Sequence, residues 1–220
     1  RTMLQTKMAP SETDGEPRPG RRGRRIRKRR SERGASLVEF AIVLPVLVTL
    51  LLGTIELGFM MRAKHAVVTA ARGSARAAAN QGDERLADYA AIDSVLSVVQ
   101  AQSNVELVSV SVFKPTTSGE IPAGCSTSSV NGLCNFYNEA TLASIMAITS
   151  DAGRQTLFSP TCGNTIDSSW CPTTRDAKQK GGLDALGVRV VFRRDGFTGL
   201  FGNDQLIASE SITRLEPETE

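Results

Sequence analysis

The chain has 220 residues, with 26 Lys/Arg against 23 Asp/Glu, one histidine and four cysteines. This length allows one modest domain plus a membrane segment. A single histidine argues against histidine-rich metal sites and conventional triads, and the sequence holds neither Gly-x-Ser-x-Gly nor a phosphate-loop motif. We therefore expect no enzymatic activity and no cofactor.

Charge is distributed unevenly along the chain. Residues 1–34 hold twelve Lys/Arg against four Asp/Glu, mostly in the run 21–33, whereas the remainder is net acidic. A segment rich in Pro, Gly, Ser and Arg has little to bury and is typical of disorder. Arginine runs can bind nucleic acid through phosphates, but this run lacks interleaved aromatic residues and adjoins an apolar segment. We expect a disordered cytoplasmic leader over residues 1–34 that contacts membrane lipid and no specific nucleic acid.

The leader is followed by an apolar segment, residues 35–61, whose only ionisable side chains are Glu39 and Glu56. As a helix these residues span about 40 Å, and a bilayer hydrocarbon core is about 30 Å thick. A cleavable secretory signal has a shorter apolar run. The pattern predicts a retained transmembrane helix with Glu56 near its outer interface. The alternative is a buried helical hairpin in a soluble protein.

The flanking charges predict the orientation of this helix. The basic residues that precede it far outnumber those just after it, which are Arg62, Lys64, Arg72 and Arg76. Positive charge favours the cytoplasmic side. We expect a single-pass protein of the cytoplasmic (inner) membrane, with its N-terminus in the cytoplasm and its C-terminal part exported.

A membrane-proximal helical stalk is predicted over residues 62–102. Residues 62–80 are alanine-rich, and Gly82 separates them from a second helical pattern over 83–102. The pairs Ala66/Ala70 and Gly73/Ala77 place small residues on one face, which permits close approach of another helix. An alanine-rich stalk without a partner is the alternative.

The remaining residues, 103–220, are predicted to form an exported α+β domain. Apolar residues alternate with polar ones over 105–112, and similar patterns over 186–194 and 205–215 indicate two more strands. Residues 136–150 favour a short helix. The predicted fold is α+β, with a long N-terminal transmembrane helix leading into a short antiparallel sheet and two disulfide-closed loops.

All four cysteines lie in this exported part. Cys125 and Cys134 enclose eight residues, and so do Cys162 and Cys171. Zinc sites usually have two to four residues between paired thiols and nearby histidines, and the one histidine here is His65. Four cysteines allow three disulfide connectivities, of which we favour the two local bridges, Cys125–Cys134 and Cys162–Cys171.

Glu39 is the most informative single residue. A carboxylate just inside an apolar helix costs on the order of 3 kcal/mol and needs a partner. If the chain is cut after Gly34, the new ammonium group of Ala35 lies one helical turn from Glu39, on the same subunit or a neighbour. The alternative is an acid at the helix start, where the helix dipole favours it.

The sequence from Arg33 to Pro45, RGASLVEFAIVLP, resembles the opening of TadE-like proteins, the pseudopilins of tight-adherence (Flp-type) pilus systems. The resemblance continues through 53–58, GTIELG, and 70–78, AARGSARAA, and so covers residues 33–80. It implies an inner-membrane subunit of a pilus assembly or secretion apparatus, with other subunits of that machinery as partners and a prepilin peptidase as its processing enzyme.

Transferred to this sequence, the resemblance places Gly34 before the cut, Ala35 at the mature N-terminus and Glu39 as the characteristic acid. Phe40 stands where Flp-type pilins usually have tyrosine, and an uncut anchor is the alternative to a processed one. The rival function is a single-pass envelope protein whose exported domain binds a ligand or partner unrelated to pili. No small-molecule ligand is indicated by the sequence.

Overall fold

A computed structural model describes residues 32–102, 105–158, 163, 165–177, 184–196, 198–199, 202 and 204–216. The predicted leader therefore lies outside the described residues up to position 31. Residues 1–46 and 47–220 form two compact units.

The first element is one long helix, α1, Glu32–Asn80, with Pro45 inside it. Its segment Gly34–Asn80 is long and apolar enough to cross a membrane, and none of its most apolar window is buried in the protein. The helix exposes apolar side chains throughout this window, including Leu44, Leu47 and Leu51. The candidate membrane helix predicted from the sequence is thus present.

The second helix, α2, Ala87–Gln100, begins four residues later than the sequence pattern predicts. It packs against the alanine-rich part of α1, and side chains of both helices, such as Ala70 and Ile92, belong to one buried core. A Cβ atom on Gly73 would lie 3.1 Å from the Ser94 hydroxyl oxygen, so the small residue permits the close approach of α2. The small-residue face predicted on α1 is therefore covered by the same chain.

Among the described residues, four strands form one antiparallel sheet in the order β2-β1-β3-β4. The strands are β1, Glu106–Phe113; β2, Cys134–Asn138; β3, Ala185–Arg194; and β4, Gln205–Arg214. Strands β1, β3 and β4 match the predicted ones within one residue at each end. One face of the sheet, including Val110, Val188 and Phe192, packs into the core shared with α1 and α2.

The structure contains a strand, β2, that the sequence pattern did not predict. A helix was expected to begin at position 136, but α3 spans only Glu139–Ala147, because Asn138 ends the strand and caps the helix. The Asn138 Oδ1 atom accepts a hydrogen bond from the Thr141 N–H at 2.8 Å, which satisfies a free donor of the first helical turn. A short helix α4, Asp151–Gln155, and two 3-10 turns, Ser168–Trp170 and Pro172–Thr174, follow.

Candidate functional site

The start of α1 contains the residues of the predicted peptidase site. Gly34, Ala35, Glu39 and Phe40 all lie in this helix and are exposed. A side chain on Gly34 would meet no atom within 4 Å, so the glycine is not required by packing inside the chain. Ala35 and Glu39 are four residues apart and share a helix face. The side chains of the predicted site are therefore exposed on the helix, and cleavage stays a prediction.

Further along α1, Glu56 is fully buried within the chain, which the sequence did not indicate. Its position near the outer interface of a membrane stays a prediction. Its Oε2 atom accepts a hydrogen bond from the Thr198 hydroxyl, in the connection between β3 and β4. The burial has a physical reason: a carboxylate on an apolar helix is stabilised when its own chain supplies a donor.

A second set of buried polar side chains forms a network centred on Asp88, in the domain that contains α2 and the sheet. The Asp88 Oδ1 atom lies 2.6 Å from Nη2 of Arg175, and both side chains are fully buried. The other carboxylate oxygen accepts hydrogen bonds from the Asn135 amide and the Tyr137 hydroxyl, each at 2.7 Å. One aspartate on α2 thus joins two side chains of β2 and an arginine more than eighty residues away in sequence.

The same network fixes the 3-10 turn at Trp170 against β2. The Asn135 amide donates to the Trp170 carbonyl at 2.8 Å and accepts from the Trp170 N–H at 2.8 Å. The Arg175 guanidinium carbon lies 4.2 Å from the centroid of the indole ring, a cation–π contact. These contacts secure a loop region that contains few regular elements.

The side chains of this network are buried, which limits the roles that they can have. The side chains of Asp88, Asn135 and Tyr137 have no solvent exposure, so no substrate reaches them directly. Burial, followed by the negative charge of Asp88, raises the pKa of Tyr137 well above its ordinary value, so its hydroxyl keeps its proton and donates to Asp88. Within the described ranges, no group of three His, Cys, Asp or Glu residues could hold a metal ion. Because it is buried, the network has a structural role. We call Asp88, Asn135, Tyr137 and Arg175 the latch, since they hold α2, β2 and the Arg175 loop together.

Sequence reasoning missed this latch. Asp88 lies inside the helical pattern predicted over 83–102 and was not singled out there. The available signal was its place among apolar neighbours, since Ala87, Ala91 and Ile92 are all buried with it. A charged residue inside an apolar helix face calls for a partner, although the sequence does not say which one.

The described residues contain one disulfide, Cys125–Cys134, as predicted. It belongs to a small apolar cluster with Phe113, on the sheet face opposite the main core. Gly187 of β3 lies under the Phe113 ring, and a Cβ atom there would overlap it. The second expected bridge involves Cys162, which is outside the described residues, so the structure gives one of the two predicted bridges.

We expect no free thiol in the native protein. Alkylation of denatured, unreduced protein should modify none of the four cysteines, as measured by intact mass. The double substitution Cys125→Ser/Cys134→Ser should lower the free energy of unfolding by about 2–3 kcal/mol, because the unfolded chain regains loop entropy. Alkylation of all four cysteines without reduction would contradict the disulfide interpretation.

Comparison with known proteins finds a family match within the long helix α1. Residues 34–76 match the family model of TadE-like proteins. This part of α1 is TadE-like. The match confirms the resemblance seen in the sequence, and it includes Gly34, Glu39, Glu56 and the alanine-rich face that packs on α2. No curated protein and no solved structure matches the chain.

Proposed function

We propose that this protein is a pseudopilin-like component of a Tad/Flp-type pilus assembly or secretion apparatus, anchored in the cytoplasmic membrane by α1. One observation carries the proposal: the TadE-like match, which begins at Gly34 and includes Glu39, coincides with an exposed apolar helix. In an isolated soluble protein such a helix would expose its apolar surface to water, whereas a membrane and neighbouring anchors cover it.

The exported domain supports a role in assembly. Its buried charged residues Asp88 and Arg175 are used in a latch, and the sequence lacks the motifs of common hydrolases and nucleotide-binding enzymes. The domain then serves as a rigid body that other subunits of the machinery contact, and α1 links it to the membrane. No catalytic step is assigned to it.

The test is a deletion in the native host. Loss of this chain should abolish surface fibres or secretion through the apparatus, and expression of the full chain should restore them. Leu47→Arg, which places a charge in the exposed apolar segment, should not restore them, whereas Leu47→Ile should. Normal fibres and secretion in the deletion strain would favour the rival function, an envelope protein unrelated to pili.

Orientation can be tested separately. We expect protease added to spheroplasts to remove an epitope at the C-terminus and to leave an N-terminal epitope intact, because the basic leader stays inside. Permeabilised spheroplasts, in which both epitopes are digested, provide the control. Protection of the C-terminal epitope together with loss of the N-terminal one would overturn the proposed topology.

A further inference from the structure

The connection between β3 and β4 contacts α1 at a buried glutamate. Thr198 donates a hydrogen bond to Glu56, which has no solvent exposure. The second carboxylate oxygen of Glu56, Oε1, is also buried and has no hydrogen-bond partner among the described residues. The exported domain therefore reaches down to a carboxylate that lies within the apolar part of the helix.

The position of Glu56 along α1 sets its depth, given the proposed membrane anchoring on which this inference rests. The uncharged segment 40–55 spans about 24 Å as a helix, less than the roughly 30 Å of a hydrocarbon core. Leu57, Phe59 and Met61 are exposed apolar side chains, so the apolar surface of the helix continues past Glu56 to Arg62, the next charged residue. Arg62 comes six positions after Glu56, so Glu56 lies about 9 Å on the membrane side of Arg62.

The surface around this point is apolar on the helix and on the sheet. Met61 is 68% exposed, and Leu206, at the start of β4, is 63% exposed. A groove of about 490 Å³ runs between α1 and β4, lined by Met60 and Lys64 on one side and by Leu206 and Ala208 on the other. A lysine in this setting extends its amine toward lipid phosphates while its stem stays on apolar surface.

Charged residues adjoin this apolar surface. A neighbouring groove that also includes Leu206 is lined by Glu106, Arg193, Asp195 and Asp204. Arg194 pairs with Gln205, so Asp195 and Asp204 lie on the Thr198 side of Leu206. Apolar and charged side chains therefore meet at this end of the sheet, which is the profile of a membrane interface with the two carboxylates among the lipid headgroups.

We propose that the base of the exported domain, which we define as Glu56, Met60, Met61, Thr198 and Leu206, lies in the outer leaflet of the membrane. The partner is the lipid itself: acyl chains contact the apolar side chains, and phosphate groups contact Lys64. The Thr198–Glu56 hydrogen bond supplies the buried carboxylate with a donor that lipid cannot provide. The domain accordingly rests on the membrane surface.

Three single tryptophan variants of the full chain test this arrangement in vesicles. Leu206→Trp probes the base, and Ile212→Trp is the matched control, because both residues are exposed on one face of β4 and lie about 20 Å apart. Val48→Trp reports on the anchor. The measurement is the loss of the added fluorescence in vesicles with brominated lipids, relative to the parent chain with Trp170. For positions 206 and 212 the bromine atoms lie near the headgroup end of the acyl chains. For position 48, in the middle of the segment 40–55, they lie near the ends of the acyl chains.

We expect Val48→Trp and Leu206→Trp to lose fluorescence, and Ile212→Trp to keep it. Quenching at position 48 alone would overturn the proposed base while leaving the membrane anchor intact. Quenching at neither 48 nor 206 would remove the anchor, and with it the proposed function. Equal quenching at 206 and 212 would show that the whole strand contacts lipid and would contradict a contact limited to the base.

Discussion

Substitution of Asp88 by alanine should lower the free energy of unfolding of the domain that contains α2 and the sheet by about 3–5 kcal/mol. The reason is that the buried guanidinium of Arg175 would lose its ion pair, while its Nε and Nη1 atoms already lack hydrogen-bond partners among the described residues. Asn135 and Tyr137 would each lose an acceptor as well. The measurement is denaturant unfolding of the full chain in detergent, followed by the fluorescence of Trp170.

Asp93→Ala is the matched control, because Asp93 is an exposed acid on the same helix and its loss should change stability by less than about 0.5 kcal/mol. The double substitution Asp88→Leu/Arg175→Met should recover part of the lost stability, since it removes the unpaired cation along with its partner. Equal stability of Asp88→Ala and Asp93→Ala would contradict the latch.

Gly34→Leu should block processing of the chain, the second large effect we expect. A prepilin peptidase cuts after a small residue at the start of an apolar helix, and a branched side chain there would hinder access to the backbone. The cut would remove the basic leader that precedes Ala35, a change that is visible on a gel and is identified by N-terminal sequencing of membrane-extracted protein from the native host.

Gly53→Leu provides the control for this substitution, because both glycines lie in α1 and a Cβ atom at either would meet no atom within 4 Å. Gly53→Leu should therefore leave processing intact. Native protein that begins before Gly34 in a host with the peptidase present would show that the helix is an uncut anchor.

Glu39→Gln should act at a later step than Gly34→Leu. The carboxylate pairs with the Ala35 ammonium that exists only after the cut, so processing should change little while assembly of fibres falls. The readout is the amount of cleaved protein compared with the amount of fibre in the same cells. Strong loss of processing by Glu39→Gln would assign the carboxylate to recognition by the peptidase.

The regular elements with clear apolar periods were predictable from the sequence. Strand β2 was not, because its core face carries Asn135 and Tyr137 while Phe136 points away from the main core. In β2 the residues that face the core carry polar groups and the residue that faces away is apolar, which is the reverse of the usual strand pattern. Both polar residues face Asp88, which is 47 and 49 residues earlier in the chain, and no local pattern reveals a partner at that distance.

The candidate site also contains residues that local sequence patterns indicate and one, Glu56, whose burial depends on a distant contact. Gly34, Ala35 and Glu39 were selected because a basic run, a small residue and one acid mark the start of an apolar segment, and because this start resembles TadE-like proteins. Their role in processing stays a prediction. Glu56 was visible as an acid in an apolar helix, but its burial depends on Thr198, 142 residues away. Local spacing therefore identified the start of α1, whereas every contact between α1 and the sheet had to come from the tertiary structure.

Strand β4 is tied to α1 near both of its ends. Thr198, just before the strand, contacts Glu56, and the N–H of Glu216, just after it, donates to the Ala79 carbonyl at 3.1 Å. The two attachment points lie about 35 Å apart along the helix. If α1 is anchored in a membrane as proposed, a force that draws it out along its axis would load β4 in shear along the ladder it forms with β3. In shear, the hydrogen bonds between β3 and β4 share the applied force. The sheet would therefore stay folded and move together with α1 when a force is applied to the helix.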